Sequence, residues 1–151
     1  MNIVFTKSKK SFPIGSWIIQ FYQKEQYSHV ALEVGDYFYQ ASDGKVNKEH
    51  RQHFDRKHKI IHSILIPRID LTHIETDLGR DYGLAQNIGM AVVDLFKLFK
   101  KKITNPFKSG VNCSEFIYER VIMQLYGDLG FDKDSIKPKH VKEILDGKNK
   151  V

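Results

Sequence analysis

The sequence has a single cysteine, Cys113, among its 151 residues, so an internal disulfide is excluded and no feature demands an oxidising compartment. It also lacks an apolar run of membrane-spanning length: the longest candidate, residues 88–99 (IGMAVVDLFKLF), is broken by Asp94 and Lys97. The opening MNIVFTKSKKSF places its apolar residues before its lysines, the reverse of a secretory leader. These absences predict a protein that is cytoplasmic as synthesised, with no signal peptide and no transmembrane segment. Internal repeats and low-complexity segments are missing too, so the chain is read piece by piece. What is present fits one domain over residues 1–151. Hydrophobic residues make up 41% and charged residues 28%, and ten Phe with seven Tyr supply bulky core material. The net charge of +6 suits an anionic partner and serves solubility equally well, so it does not discriminate among functions.

Along the chain, residues 16–26 (SWIIQFYQKEQ) place Trp17, Ile18, Phe21 and Tyr22 at helical spacing after Ser16, a suitable cap. Residues 28–42 (SHVALEVGDYFYQAS) supply two β-rich runs around Gly35-Asp36, the composition of a tight hairpin turn. The polar, basic stretch 43–59 reads as a loop, and residues 60–67 (IIHSILIP) as a third strand ended by Pro67. From Tyr82 to Phe99 apolar residues recur at helical spacing, with Lys100, Lys101 and Lys102 at the carbonyl end where cations are favoured. Asn105-Pro106 and Gly110 mark a loop. A helix then begins at Cys113 and stops at Gly127, and a last short helix lies within residues 126–145. The predicted class is α+β, with a small antiparallel sheet packed against helices.

Asn112 followed three residues later by Glu115 is a capping box, which puts Cys113 in the first turn of the helix that carries Phe116, Ile117, Val121 and Leu125 inward. A thiol there feels the positive end of the helix dipole. Unpaired amides at that end favour thiolate and suit a developing oxyanion, so the position fits a nucleophile. A small buried hydrophobe fits it as well, and only a partnering base separates the two readings. His29 is the best placed of the seven histidines because it opens a strand whose alternate residues share its face. With Gly35 and Asp36 as the turn, Ala31 lies opposite Gln40 and His29 opposite Ser42. His29 and Gln40 then sit one diagonal step apart on one face. Gln40 is therefore a candidate to orient the imidazole, and Glu33, on the same face by parity, is the alternative. Tyr27, Ser28, Asn112 and Ser114 are expected to line the cleft.

Taken in order, YSHVALEV, YFYQAS and NCSEFIYERVI resemble the permuted branch of the NlpC/P60, papain-like cysteine hydrolases, the group that includes the YiiX-like proteins. In that branch the histidine strand precedes the cysteine helix, as here. The resemblance extends to IGSWIIQFY, YGLAQNIGMA and IKPKHVKEIL, which are similar to that group's flanking helices and its late proline-containing segment. It implies a permuted papain-like fold with Cys113 as nucleophile, His29 as base and Gln40 as the third polar residue. It also implies acyl transfer through a thioester, with no metal or organic cofactor. The substrate it suggests is a peptide or acyl amide, foremost a peptide bond in cell-wall peptidoglycan. Lipid acyl hydrolysis or transfer on the same fold is the alternative. A bacterial or phage origin follows from the same resemblance, with virion association or another route of release as the means of reaching a wall. Asn112 departs from the Asp of many unpermuted relatives, and Gln40 activates a base less than a carboxylate would.

Two further constellations carry weaker readings. His50, His53, His58 and His62 have spacings that would clamp zinc on a helix, yet six Lys and Arg lie between Lys45 and Lys59, a poor setting for a dication. The same basic run makes nucleic-acid binding the non-enzymatic alternative, ranked below the hydrolase because exposed aromatics and a DNA-reading motif are missing. The sequence sets no oligomeric state.

Overall fold

The structure is a computed structural model, and it describes residues 1–9, 26–42, 44–81, 112–132 and 136–147. The helices expected over 16–26 and 82–99, and the loop at 105–110, lie outside the described residues except for Gln26.

Five strands, β1 (Asn2–Ser8), β2 (His29–Val34), β3 (Tyr37–Ser42), β4 (Lys45–His50) and β5 (His58–Leu65), form one antiparallel sheet in the order β4-β3-β2-β1-β5. The class is α+β, as expected. The hairpin turns where the sequence places it: Gly35 has φ +59°, a left-handed conformation that glycine adopts without steric cost, and Val34 pairs with Tyr37. Leu32 opposite Tyr39 and Glu33 opposite Phe38 set the register anticipated from that turn.

One strand has no counterpart in the sequence reading, and one expectation needs correction. The N-terminal segment is a strand of the sheet interior, paired with β2 on one side and β5 on the other. Its Ile3, Val4, Phe5 and Thr6 are all buried, because both faces of an interior strand are covered. Within the loop expected over 43–59, residues 44–59 are not a loop. They hold β4, the helix α1 (Arg51–Lys57) and the first residues of β5. β4 is an edge strand that buries only Val46, and α1 buries only Phe54, so neither shows the apolar periodicity that a sequence reading depends on. The third strand expected over 60–67 runs two residues earlier, over His58–Leu65.

α1 covers one face of the sheet. Phe54 stacks on Phe38 at 3.8 Å between ring centroids and joins Val4 and Ala31 in a small cluster. The larger core fills the other face, where Ile3, Phe5, Val30, Leu32, Tyr39 and Ala41 meet the C-terminal helices. Those helices are α2 (Thr72–Thr76), α3 (Cys113–Ile117), a π-helical turn (Tyr118–Ile122), α4 (Met123–Tyr126) and α5 (Pro138–Leu145). From Cys113 to Tyr126 the helical path is unbroken, and it ends at Gly127, φ +78°, as its sequence predicts. Pro138 opens α5, where its missing amide costs nothing, and Val141 and Ile144 enter the same core.

Candidate active site

α3 begins with the capping box read from the sequence. Asn112 Oδ1 accepts from the Ser114 and Glu115 amides at 2.9 and 2.8 Å, and Glu115 Oε2 accepts from the Asn112 amide at 3.3 Å. The cap thus takes two of the amides that would otherwise be open to a substrate oxyanion. The Cys113 amide is not one of that pair. The Asn112 side-chain nitrogen is buried with no hydrogen-bond partner among the described residues. Cys113 itself is 6% exposed, the first helical residue, at the rim of the larger core.

His29 opens β2 on the opposite face of the sheet, yet it reaches the thiol. β2 and β3 pair only from Val34 to Leu32 on one strand and Tyr37 to Tyr39 on the other, although β2 begins at His29 and β3 ends at Ser42. The strands part at that end, and the Cys113 and His29 side chains meet there. Burial raises the Cys113 pKa, but the charge of His29, its hydrogen bond to the sulfur, the Val30 amide and the Ser114 hydroxyl together hold it below the ordinary thiol value. Ser114 Oγ lies 3.9 Å from Cys113 Sγ.

His29 Nε2 lies 2.7 Å from Gln40 Oε1. The sense of that bond is set from behind. Gln40 Nε2 donates to Glu49 Oε2 at 2.9 Å and to Asn47 Oδ1 at 3.3 Å. Asn47 Nδ2 is committed to the Ser42 carbonyl and hydroxyl, both at 3.1 Å. A carboxylate and a backbone carbonyl can only accept, so Gln40 must present oxygen to His29, and His29 must donate from Nε2. Nδ1 is then the ring nitrogen left for the thiol. Gln40 is fully buried, and β4 supplies both groups that hold it, Asn47 directly opposite and Glu49 one diagonal step away. His58 stacks on the His29 ring at 5.2 Å and on Phe54 at 4.6 Å, so the imidazole is held by rings as well as by hydrogen bonds.

The other sequence candidates fall differently. Glu33 shares the His29 face but stands four residues along β2, and it binds Arg51 and, at 2.9 Å, Asn2. It does not orient His29. Tyr27 is a core residue and not a cleft residue: it is 1% exposed, lies 5.1 Å from Phe5 and meets His62 edge-on. Ser28 is half-buried beside His29, and its amide donates to the Thr6 carbonyl at 2.9 Å. Asn112 and Ser114, expected to line the cleft, stand on either side of Cys113 in the chain and are buried as deeply as Tyr27. Glu49 and Asn47 were missed because they lie on β4. Their signal in the sequence is the parity of 45, 47 and 49 against 42, 40 and 38 across a short turn at Gly44.

The four clustered histidines part company. His50 caps α1 through its ring, His53 lies on α1, His58 stacks on His29 and His62 packs on Tyr27. Among the described residues no group of three or more His, Cys, Asp or Glu is placed to hold a metal ion. Of the six cations between Lys45 and Lys59, Lys48 pairs with Glu75, Arg51 with Glu33 and Lys57 with Glu49, so half of the basic run is neutralised locally. Among the described residues no helix is long and apolar enough to cross a membrane. The chain has no significant match to any protein-family model, curated protein or solved structure, so the arrangement of Cys113, His29 and Gln40 stands on its own geometry.

Proposed function

We propose that this chain is a cysteine hydrolase that cleaves an amide through a thioester on Cys113, on a permuted NlpC/P60, papain-like domain. The observation that carries the reading is the chain of contacts at the parted end of β2 and β3. A thiol with a depressed pKa on the first turn of a helix is partnered by His29, which Gln40 orients at 2.7 Å. The order of histidine strand before cysteine helix and the resemblance of their sequences support the permuted family in particular.

In this mechanism the Cys113 thiolate attacks the carbonyl carbon of a scissile amide. The Cys113 amide donates to the oxyanion that forms. Protonated His29 delivers its Nδ1 proton to the leaving nitrogen, the C–N bond breaks and an amine departs, leaving a thioester. Neutral His29 then takes a proton from water, the hydroxide adds to the thioester, and collapse releases a carboxylic acid and the thiolate. The bond from Nε2 to Gln40 keeps the ring edge-on to the thiol through both half-reactions.

The substrate assigned is a stem-peptide amide of peptidoglycan. Wild type and Cys113→Ala are to be incubated with purified muropeptides and separately with an acyl-lipid mixture, and the products read by mass spectrometry. New free amines on the stem peptide, with wild type alone, are the expected result. Fatty-acid release would replace the amide substrate with a lipid one. Equal turnover by the Ala variant, or no turnover of either substrate with salt-sensitive retention on DNA, would overturn the cysteine mechanism.

A further inference from the structure

We propose that Glu49 is a positioning residue of the Cys113–His29 centre, one that locks the Gln40 amide with its oxygen on His29 and supplies, through that amide, the negative charge Gln40 lacks. The inference rests on the cysteine-hydrolase reading above and concerns how its base is tuned.

A neutral third residue raises two difficulties. A glutamine amide is nearly symmetric in shape, and if it turned over it would point NH2 at His29 and forbid donation from Nε2. It also has no charge with which to favour imidazolium. Glu49 answers both. Its Oε2 accepts from Gln40 Nε2 at 2.9 Å, shorter than the 3.3 Å bond from the same nitrogen to Asn47, so the carboxylate is the stronger of the two locks. Its other oxygen meets Lys57 Nζ at 2.8 Å, which fixes the carboxylate from the far side. The Glu49 side chain is 13% exposed and Gln40 fully buried, so water does little to screen the charge between Glu49 and His29.

Several ionisable groups of the described residues surround His29. Cys113 approaches from α3, whose Glu115 bonds back to the Asn112 amide. His58 stacks on the ring from β5, Glu49 acts through Gln40 from β4, and Lys57 holds Glu49 from the end of α1. Removing the Glu49 charge disfavours imidazolium and, with it, the thiolate that imidazolium stabilises. Removing the Lys57 charge does the reverse, because it leaves Glu49 less neutralised.

The test is the pH profile of Cys113 alkylation by iodoacetamide, which needs no substrate, with thermal denaturation run beside it. Glu49→Gln is expected to move the acid limb of the profile up by about half to one pH unit. Reactivity on that limb then falls about three- to tenfold while the rate at high pH is kept. Lys57→Gln is expected to move the limb the other way, although it breaks the same ion pair and costs similar stability. In the Glu49→Gln background, Gln40→Glu puts a carboxylate on His29 itself and is expected to restore the limb or carry it below that of wild type. If Glu49→Gln lowers the melting temperature and leaves the profile on that of wild type, Glu49 is structural only and the proposal fails. Should Glu49→Gln not fold, an unmoved profile in Lys57→Gln overturns it equally. A wild-type profile typical of an ordinary exposed thiol would instead sink the cysteine-hydrolase reading.

Discussion

The two ends of the β2–β3 pair make different use of the same ingredients. At the turn end Glu33 touches a permanent cation directly, Arg51, and Asn2 adds a hydrogen bond from β1. At the parted end the carboxylate, Glu49, stands one neutral amide away from its partner His29. A carboxylate in contact with guanidinium holds strands and helix together and has nothing further to do, since arginine does not exchange its proton. A carboxylate insulated from an imidazole by Gln40 biases that ring and still leaves it able to gain and lose a proton. The ladder differs in the same sense: closed where the charges are locked, open where a thiol must enter.

Several changes break or sharpen this contrast. The largest effect is expected from His29→Ala, which removes both thiol activation and proton delivery. Turnover should fall by about two to four orders of magnitude, measured as kcat/KM on the substrate that wild type cleaves. Gln40→Ala at the same end should cost about tenfold in thiol alkylation at neutral pH, equivalent to about one pKa unit at the thiol. Asn112→Ala removes the cap of α3 and should lower unfolding free energy by about 1 kcal/mol, read from chemical denaturation. At the turn end, Arg51→Gln should cost less than about 1 kcal/mol, since the guanidinium is part exposed, and should leave the alkylation rate of Cys113 at its wild-type value. A change in that rate would mean that the two ends are coupled.

The pH dependence follows from the thiol. The folded Cys113 has a pKa below its ordinary value, so the thiolate contributes stability that is fully present above the unfolded pKa. That contribution is lost as pH falls through the folded one. Alkylation should persist below the pH at which an ordinary thiol stops reacting and should vanish as pH drops through the folded pKa. Stopped-flow alkylation across that range checks it.

The hairpin and the cysteine helix were legible because local chemistry fixes them. Gly35-Asp36 dictates the turn, the turn dictates register, and register puts Gln40 beside His29. Asn112 and Glu115 announce the helix start independently of everything that packs on it. Glu33 was a fair rival by parity and lost to distance, since four residues along a strand amount to about 13 Å. β1, β4 and α1 were not legible. β1 is buried on both faces and shows no alternation, whereas β4 and α1 each bury a single residue and look like solvated chain. Because Asn47 and Glu49 ride on β4, the support behind Gln40 was hidden along with the strand. The site's ends were written in local signals, and its middle was written in a pairing between β3 and an edge strand.

The placement of β1 beside β5 bears on how the protein is made. β1 cannot complete its pairing until Leu65 has followed it from the ribosome, so the sheet closes late relative to this strand. By then His29, Gln40 and Glu49 have all been synthesised, while Cys113 is still a few seconds away at roughly 5–20 residues per second. Cys113 therefore follows the strands that carry its partners. Under the mechanism proposed above, its thiol gains a base only when its helix docks on the sheet, so the nascent chain is spared an interval in which an activated thiolate stands without its pocket.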